Sequence, residues 1–533
     1  MTERYDVIVI GAGANGLVAA AALGRAGLRA LVLERGETLA GQAGTLEFAP
    51  GFRAAPLALD AGWVPPVVER GLGLDGLERT HADTPLTVAV APGELLPLSR
   101  DPARAAAAIR RYSAADAARW PAFTARLRQL AGFLEAVYQL PAPDLDTASV
   151  REALPLLGLA RRFRSLGREA MTEFLRTAPM PARQIAEEWF EAAPLRTAVA
   201  AGGVLDNRQG PLSGGTGFVL LHNLVGAAAG SVRGRGAWRA GPDAFAAAAE
   251  RAARRHGATI RTGADVARIR VEDDAVAGVA LRSGEEIRAA RVLSAADPAH
   301  TLLGLVDPVW LDPELLLALR NIRFRGCTAY VLFALGELPD LPGLDAAPDA
   351  LRGTVSLTAD VDVLERAADA AKYGTVPERP HIELTVPSLS WPELAPAGRH
   401  VLVARAHYAP YRLRAGLSWD AAAADALGDA VASAIEAVSP CFSSRVLHRA
   451  TLTPPDLEVR FGLTEGAATH GEIALDQILF MRPTPGLGHY ATPIDGLYLG
   501  GAGTHPGPAI AGGPGWLAAQ RLLADRSRAR PSR

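Results

Sequence analysis

Cysteine is scarce in this 533-residue sequence, which contains only Cys327 and Cys441. The two lie far apart in the chain, and neither has another cysteine or a histidine nearby at the spacing of metal ligands. No Cys-x-x-Cys pair occurs, which excludes the dithiol of a disulfide reductase, and no metal site is predicted. We expect both thiols to be reduced and to lie in the core, in a cytosol-like compartment.

An excess of charge of either sign is also missing, because 55 basic residues stand against 57 acidic residues and the formal net charge is −2. A nucleic-acid partner is therefore not expected, since binding to phosphate backbones requires a basic surface. The sequence does not begin with a basic segment followed by an apolar run, so no secretory signal is predicted and we expect a cytoplasmic protein.

Hydrophobic runs suited to a membrane span are absent as well. Two stretches lack charged residues, Pro211–Val232 and Gly496–Gln520, but the second contains eight glycines and three prolines. A lipid-exposed helix needs about 20 consecutive apolar residues and tolerates such a composition poorly. Both stretches are more typical of tight backbone turns around a ligand.

What the sequence does contain is a complete strand–helix–strand unit near its beginning. Tyr5–Ile10 is a short run rich in β-branched residues, typical of a buried parallel strand. Gly11–Gly16 then has the pattern G-x-G-x-x-G, the alanine-rich Leu17–Ala26 predicts a helix, and Arg29–Leu33 predicts the second strand. This context turns a weak glycine pattern into a specific signal for dinucleotide binding.

Each conspicuous residue of this unit has a physical task. Gly11 allows the sharp turn from strand to helix, Gly13 lets the backbone approach a pyrophosphate, and Gly16 lets helix and strand pack closely. The start of the helix offers free N–H groups and a partial positive charge to the phosphates. Glu34 ends the second strand, where its carboxylate can hold both ribose hydroxyls, and it is compatible with either NAD or FAD.

The segment that follows distinguishes the two cofactors. Residues 36–45 read G-E-T-L-A-G-Q-A-G-T, whereas an NAD enzyme usually continues with another helix and strand. The segment resembles the loop that flavoproteins of the amine oxidase and phytoene desaturase type place along the pyrophosphate and ribityl chain of FAD. Gly41, Gly44 and Thr45 carry the resemblance, and Gln42 departs from it because a second glycine is usual there.

A second glycine-rich motif, Gly496–Gly515, lies near the carboxyl terminus. It begins with the apolar strand Leu497–Leu499, passes through a glycine-dense turn and leads into a predicted helix from about Gly515 to Asp525. The N–H groups of such a helix start can face the O2 side of a flavin ring and stabilise negative charge on the reduced flavin.

With both ends interpreted, the chain resembles the phytoene desaturase, carotenoid isomerase and retinol saturase group. It most resembles the branch of pyridine nucleotide-disulfide oxidoreductase domain-containing proteins. Four stretches carry this resemblance and together span nearly the whole chain: Gly11–Thr45, Gly217–Gly226, Leu452–Pro483 and Tyr490–Gly515. Ala502 stands where amine oxidases commonly have an acidic residue, which favours the desaturase side. Pro508–Ala509 and Trp516 depart from the usual pattern near the expected flavin face.

The motifs and the resemblance together imply the residues that contact FAD. In relatives, the backbone at the position that resembles Val266 contacts the adenine. The predicted contacts are Gly11, Ala12, Gly13, Asn15, Gly16, Glu34, Arg35, Gly41, Gln42, Gly44, Thr45, Val266, Gly501, Ala502, Gly503, Ile510 and Ala511.

The implied fold class is α/β, with a discontinuous Rossmann-type FAD-binding domain into which an α+β substrate-binding domain is inserted, as in the amine oxidase and phytoene desaturase folds. The FAD-binding domain is predicted to comprise residues 1–75, 236–300 and 485–533. The substrate-binding domain is predicted to comprise residues 76–235 and 301–484, and residues 101–200 within it read as largely helical.

One of these predicted helices is amphipathic and basic. Arg151–Arg168 places Arg161, Arg162 and Arg164 among apolar residues that include Leu154 and Leu156. Such a stretch could contact an anionic membrane surface, or it could be a solvated helix face above a core stripe. The sequence leaves a peripheral membrane contact open.

FAD would carry the hydride chemistry, with a small apolar substrate held against flavin N5 in a dry pocket. Only one nucleotide fingerprint opens a full unit, so we expect oxygen or a quinone to reoxidise the flavin. The candidate catalytic residues are His222 and His505, as acid, base or donor, and Arg482, which could hold the flavin edge or a carboxylate or could pair with Asp476. His470 is interpreted as structural.

Four functions remain open at this stage. The leading one is a dehydrogenase or desaturase that removes hydride from an apolar small molecule. Oxidation of a C–N bond, as in amine oxidases, and redox-neutral isomerisation with reduced FAD are alternatives on the same scaffold. A different class is an FAD-binding partner protein without turnover, which the unusual Gln42, Pro508 and Trp516 keep open.

Overall fold

The computed structural model describes residues 5–74, 76–142, 150–343 and 349–528. The strands are β1 Val7–Ile10, β2 Ala30–Leu33, β3 Leu46–Ala49, β4 Phe52–Ala54, β5 Arg79–Thr80, β6 Leu86–Ala91, β7 Glu94–Leu98, β8 Ala237–Trp238, β9 Thr259–Arg261, β10 Val266–Glu272, β11 Ala275–Leu281, β12 Glu286–Arg288, β13 Val292–Ser294, β14 Thr328–Leu335, β15 Thr354–Ser356, β16 His381–Thr385, β17 His400–His407, β18 Val446–Leu452 and β19 Leu497–Leu499.

The helices are α1 Ala14–Arg25, α2 Pro66–Leu72, α3 Pro102–Ile109, α4 Ala114–Val137, α5 Val150–Ser165, α6 Arg168–Thr177, α7 Ala182–Trp189, α8 Ala193–Ala201, α9 Thr216–Asn223, α10 Ala244–Arg255, α11 Pro313–Arg320, α12 Val361–Lys372, α13 Ala421–Glu436, α14 Phe442–Arg445, α15 Pro454–Phe461 and α16 Gly513–Arg528. Short 3-10 turns occupy Gly41–Ala43, Pro308–Trp310, Ala350–Arg352, Pro387–Leu389, Pro392–Leu394, Thr464–Gly466 and Leu479–Met481, and a π-helical turn occupies His300–Leu305.

A five-stranded parallel sheet has the order β19-β13-β1-β2-β9, so it joins strands from distant parts of the chain. Every residue of β1 and β2 is buried, as expected of a parallel sheet covered on both faces. Alternate residues of β1 pack on opposite faces of this sheet. Val7 and Val9 pack in one core with residues of α1, α10 and α16, whereas Ile8 and Ile10 pack in another with residues of β10 and β11.

This arrangement confirms the α/β fold class and the strand–helix–strand unit at the start of the chain. The helix α16 begins at Gly513, slightly before the predicted Gly515. The division of the chain into two domains at the predicted boundaries stays a prediction.

A larger, mostly antiparallel sheet of seven strands has the order β18-β14-β17-β16-β15-β6-β7, with β15 and β6 parallel. Strand β14, which lies between the edge strand β18 and β17, is buried along its whole length. Its register aligns Tyr330 with Arg405 on β17, and Arg405 in turn aligns with Glu383 on β16. Three polar side chains therefore stand side by side across three neighbouring strands, on one face of the sheet.

The segment 101–200 is largely helical, as predicted, with α3 to α8 in its described part. In the amphipathic helix α5, Arg161, Arg162 and Arg164 are exposed, and the Phe163 ring lies 5.0 Å from that of Phe133. This is the arrangement of a solvated face above a core stripe; the side chains of Leu154 and Leu156 lie outside the described part. None of the described helices combines the length and apolarity that a membrane span requires.

The prediction for the two cysteines is half right. Both are free thiols, and Cys327 is buried, but Cys441 is exposed. Cys441 has a φ of 63° and precedes the short helix α14, so it lies in a surface turn where no core surrounds it. Burial raises the pKa of the Cys327 thiol well above its usual value, which keeps it protonated.

Two helical glycines offer a matched test of helix packing. A Cβ atom on Gly217 in α9 would lie 2.1 Å from the Thr177 carbonyl oxygen and 2.8 Å from Ile185 Cδ1, whereas a Cβ on Gly132 in α4 would meet nothing within 4 Å. We expect Gly217→Ala to lower the free energy of unfolding by about 1–3 kcal/mol through overpacking. Gly132→Ala should raise it by about 0.5–1 kcal/mol through helix propensity. Urea unfolding of both variants measures this, and a stabilised Gly217→Ala would contradict the packing of α9.

Candidate functional site

A cavity of about 310 Å³, the sheet-edge cavity, lies where the parallel strands β1 and β2 end. Ile10 and Leu33, the last residues of these strands, both line it. The lining extends from Glu34 and Val266 to Ile510 near the carboxyl terminus. Ligands of open α/β sheets bind in this position, outside the carboxyl ends of the strands.

The glycine turn between β1 and α1 shapes one wall of the sheet-edge cavity. Gly11 has a φ of 92°, a left-handed conformation that favours glycine, and its N–H donates to the Leu33 carbonyl at 2.8 Å. A Cβ on Gly16 would lie 1.9 Å from the Gly11 oxygen, so no larger residue fits there. The Cβ of a residue at position 13 would come no closer than 3.8 Å to the protein, at Gly41 Cα. The space beside Gly13 is therefore left for a ligand rather than filled by packing.

Glu34 is held in place by backbone donors. Its Oε2 accepts the Ala12 N–H at 2.8 Å, and its Oε1 accepts the Gly36 N–H at 2.9 Å. Each carboxylate oxygen has a second acceptor position, so the side chain can still accept from two hydroxyls of a ligand. The Glu34 carboxylate therefore holds the glycine turn at Ala12. The sequence predicts that this turn and this carboxylate bind the same dinucleotide.

Most of the predicted contact residues line the sheet-edge cavity. They are Gly11, Gly13, Asn15, Gly16, Glu34, Arg35, Gly41, Gln42, Val266, Ala502, Ile510 and Ala511. The other predicted contacts lie outside its described lining: Ala12, Gly44, Thr45, Gly501 and Gly503. Gly501 and Gly503 instead allow close packing, because a Cβ would lie 2.5 Å from the Ala295 oxygen and 2.3 Å from Pro298 Cδ, respectively. The role of all these residues in cofactor binding stays a prediction.

Sequence reasoning missed several residues that line this cavity, among them Asp60, Trp238, His300 and Ala468. His470, which the sequence suggested was structural, also lines it. Burial lowers the pKa of His470, and its Nδ1 has no hydrogen-bond partner among the described residues. The signal in the sequence was that His470 lies within Leu452–Pro483, one of the stretches that carry the resemblance to relatives. The others come from segments that only the fold brings together.

A second cavity of about 310 Å³, the arginine-lined cavity, adjoins the first. The two share a wall, defined by the residues that line both: Gln42, Leu57, Asp60, Gly62, Ala468, Pro508 and Ala509. Gln42 is fixed in this wall because its Nε2 donates to the Ala468 carbonyl at 3.0 Å. Its side chain thus spans a gap that the expected glycine would leave open.

The lining of the arginine-lined cavity is mixed, because apolar residues such as Leu57, Leu205 and Trp391 lie in it beside charged ones. Arginine side chains and carboxylates line it, together with Tyr330 and His81. Arg233 Nη2 donates to both oxygens of Glu383, at 2.6 and 2.7 Å, and both side chains are buried. Burial alone would raise the pKa of Glu383, but Arg233, His381 and Arg405 hold it well below its usual range. Glu383 is therefore ionised in the folded protein.

The three catalytic candidates lie outside the described linings of both cavities, and each is buried. His222 supports the shared wall: its Nε2 is 3.1 Å from the Pro508 carbonyl oxygen and its Nδ1 is 2.8 Å from the Tyr138 hydroxyl. A carbonyl only accepts, so Nε2 carries the proton and Nδ1 accepts from Tyr138. Burial, assisted by Arg235 and Arg482, lowers the pKa of His222 to about 3, so the ring is neutral.

Arg482 binds backbone rather than a carboxylate. Its guanidinium donates to carbonyls of Thr469, Gly471, Glu472, Gln477 and Ala502, at 2.6 to 3.2 Å. The suggested pairing with Asp476 is wrong, because Asp476 pairs with Arg323 at the surface. Arg482 is fully buried, and burial lowers its pKa to about 10. It ties the segment around His470 to Ala502, which lines the sheet-edge cavity.

His505 has a similar structural position. Its Nε2 lies 3.1 Å from the Leu140 carbonyl oxygen, and burial lowers its pKa to about 4. Its ring packs edge-on against Tyr138, with the ring centroids 5.8 Å apart. Tyr138 therefore contacts both His222 and His505, and the three rings together support the Gly507–Ala509 segment.

Fold and cavity place this chain in the class of Rossmann-type α/β proteins with a ligand cavity at the carboxyl ends of the parallel strands. The sequence profile of the NAD(P)-binding Rossmann-like domain matches residues 9–63. The chain is 34% identical over 555 residues to pyridine nucleotide-disulfide oxidoreductase domain-containing protein 2 of Rattus norvegicus, covering 98% of this chain and 94% of the relative. The chain belongs to that family, as its motifs indicated.

More distant relatives agree with this placement. Phytoene desaturase (neurosporene-forming) of Cereibacter sphaeroides is 27% identical over 305 residues, 54% of each chain. Among solved structures, putrescine oxidase bound to putrescine has a TM-score of 0.57 at 16% identity and covers 99% of this chain and 100% of its own. This last likeness shows the amine oxidase type of fold.

The buried state of His222 predicts a pH dependence of stability. Its pKa is about 3 in the folded protein and about 6.5 when unfolded, so the unfolded chain takes up a proton first as the pH falls. The contribution to stability is complete above about pH 6.5 and is lost as the pH falls from there. We expect His222→Gln, which can keep both hydrogen bonds but cannot be protonated, to lose about 1.4 kcal/mol less than the wild type between about pH 7.5 and about pH 5.5.

Urea unfolding at the two pH values measures this difference. His448→Gln, which replaces an exposed histidine of β18, is the matched control and should keep the pH dependence of the wild type. Equal losses for the wild type and His222→Gln would mean that folding does not lower the pKa of His222.

Proposed function

We propose that the protein is an FAD-dependent oxidoreductase that oxidises a small molecule held in the arginine-lined cavity. The observation that carries this proposal is the shared wall, where a cavity suited to a dinucleotide meets a second cavity that extends into the rest of the fold. A hydride acceptor at this wall would face a substrate directly.

The residues of the sheet-edge cavity fit FAD. The space beside Gly13, the start of α1 and the carboxylate of Glu34 suit a pyrophosphate and a ribose. Asn15 lines the cavity, and its buried Oδ1 has no hydrogen-bond partner in the described part of the chain. An unpartnered buried acceptor of this kind is expected of a group that binds a ligand. The lining continues to Ile510 and Ala511, which supports a cofactor longer than a mononucleotide. When bound, FAD supplies the acceptor for the hydride at N5.

The chain itself orders the shared wall through hydrogen bonds to its backbone. Trp63 N–H donates to the Ala509 oxygen at 2.8 Å, and Ala511 N–H donates to the Trp63 oxygen at 2.8 Å. His222 fixes the neighbouring Pro508 carbonyl. A wall held by these three hydrogen bonds would keep substrate and cofactor in one relative position, which is a main source of rate acceleration.

A hydride abstraction also releases a proton, which passes to water or to a histidine. The histidines on the described linings are His300 and His470 in the sheet-edge cavity and His81 in the arginine-lined cavity. These replace His222 and His505 as candidates, because the latter two are engaged in holding the wall. Oxygen or a quinone remains our proposed acceptor of the electrons from the reduced flavin.

Gly13→Val tests the cofactor site. The wild-type protein should show the two-band visible spectrum of oxidised flavin. A Cβ at position 13 has room in the protein alone, so we expect the variant to fold normally but to bind FAD about 10- to 100-fold more weakly, because the side chain occupies the pyrophosphate position.

Visible absorption gives the flavin content, and thermal unfolding of the apoproteins gives the stability. Gly132→Val is the control, because it introduces the same side chain on an open helix face. A folded Gly13→Val protein with normal flavin content would refute the placement of the cofactor. A wild-type protein that takes up no FAD would favour a partner protein without turnover.

A further inference from the structure

We propose that the arginine-lined cavity binds an organic carboxylate, so that the substrate is an anion rather than a neutral hydrocarbon or an amine. This inference rests on the proposed function, because it names the class of molecule that would be oxidised at the shared wall. It replaces the apolar substrate that the sequence suggested.

The first observation is a surplus of positive charge on the lining. The cationic side chains are Arg100, Arg233, Arg235, Arg352 and Arg405, and the anionic ones are Asp60, Asp206 and Glu383. Five arginines stand against three carboxylates on the lining, and the two outer arginines, Arg100 and Arg352, pair with Asp83 and Asp349 just outside it, at 3.1 and 3.8 Å. The whole chain carries a formal charge of −2, so the excess of arginine is a property of this lining.

The second observation is the order of these arginines from solvent to interior. The side chains of Arg352 and Arg100 are 54% and 33% exposed, whereas those of Arg233 and Arg235 are 9% and 8% exposed. Positive charge therefore extends from an accessible rim into the buried part of the cavity. Such an arrangement raises the local concentration of anions and guides them inward.

The third observation is which guanidinium groups already have partners. Arg235 already has backbone partners, because its Nε donates to the Val225 carbonyl at 2.6 Å and its Nη2 donates to the His222 carbonyl at 3.2 Å. Arg233 binds Glu383 through Nη2 alone, and its buried Nη1 has no hydrogen-bond partner among the described residues. A buried N–H without a partner is costly, so Arg233 is the group that a ligand oxygen would satisfy.

Arg405 stands beside this position with weak carboxylate contacts. Its nearest carboxylate oxygens are 3.6 Å away on Asp206 and 3.7 Å away on Glu383, too far for strong hydrogen bonds. Cross-strand register places Arg405 between Glu383 and Tyr330 on the rigid seven-stranded sheet. A planar carboxylate is the acceptor that guanidinium forks bind best, through paired N–H groups.

The test uses the FAD-loaded protein and a series of alkyl and aryl carboxylates, each compared with the amine and the alcohol of the same carbon skeleton. Calorimetry measures binding, and the visible flavin spectrum reports on occupancy beside the cofactor. We expect the carboxylates to bind at least about tenfold more tightly than their matched amines and alcohols. Equal affinities, tighter binding of the amines or alcohols, or no saturable carboxylate binding would overturn the inference.

Variants locate the site. Arg233→Lys keeps a positive charge beside Glu383 but removes the paired N–H groups, and we expect it to weaken carboxylate binding about tenfold. Arg352→Gln at the rim should weaken binding about two- to fivefold. Arg320→Gln, an exposed arginine at the end of α11, should bind like the wild type. Full carboxylate affinity in Arg233→Lys would overturn the assignment of this residue.

The two proposals fail in different ways. A yellow protein that prefers amines or alcohols would overturn the carboxylate site and leave the FAD oxidoreductase intact. A protein that takes up no FAD would refute the proposed function, while calorimetry with the same carboxylates would still decide whether the cavity recognises an anion.

Discussion

The close approach of backbones at the starts of α1 and α16 is the constraint on which the candidate site depends. A Cβ on Gly16 would lie 1.9 Å from the Gly11 oxygen, and a Cβ on Gly515 would lie 1.9 Å from the Asn15 oxygen. Only glycine allows this contact between the first and last parts of the chain. Because of it, the ends of two helices meet beside one sheet edge, and residues from both ends of the sequence can line a single cavity.

Buried polar residues then hold the parts of the chain that line the cavities. Arg482 gathers five carbonyl groups from the 469–477 segment and from Ala502, and His222 and Tyr138 fix the carbonyl of Pro508. The sequence marked His222, His505 and Arg482 as chemically notable, and they are, but as supports of the wall rather than as groups that face a ligand. Buried side chains that hydrogen-bond to backbone carbonyls, as these three do, rigidify their surroundings, which serves a site that must keep two ligands in register.

The sequence was sufficient for the strand–helix–strand unit and the fold class, because local spacing determines both. Gly11, Gly16 and Glu34 lie within one short segment, where turn geometry and strand length leave little choice. The arginine-lined cavity could not be predicted in the same way. Arg233 lies 150 residues before Glu383 in the sequence, and Arg405 stands beside Glu383 because β16 and β17 pair in a particular register. The net charge of the chain, which is near zero, also gives no indication that arginines cluster on the lining of one cavity.

An experimental structure of the protein with bound FAD tests the proposed site most directly. We expect the adenosine beside Glu34 and Val266 and the flavin ring at the wall of Gln42, Ala468, Pro508 and Ala509, open to the arginine-lined cavity. A flavin ring at the Glu34 end, or a dinucleotide bound outside the sheet-edge cavity, would contradict this placement.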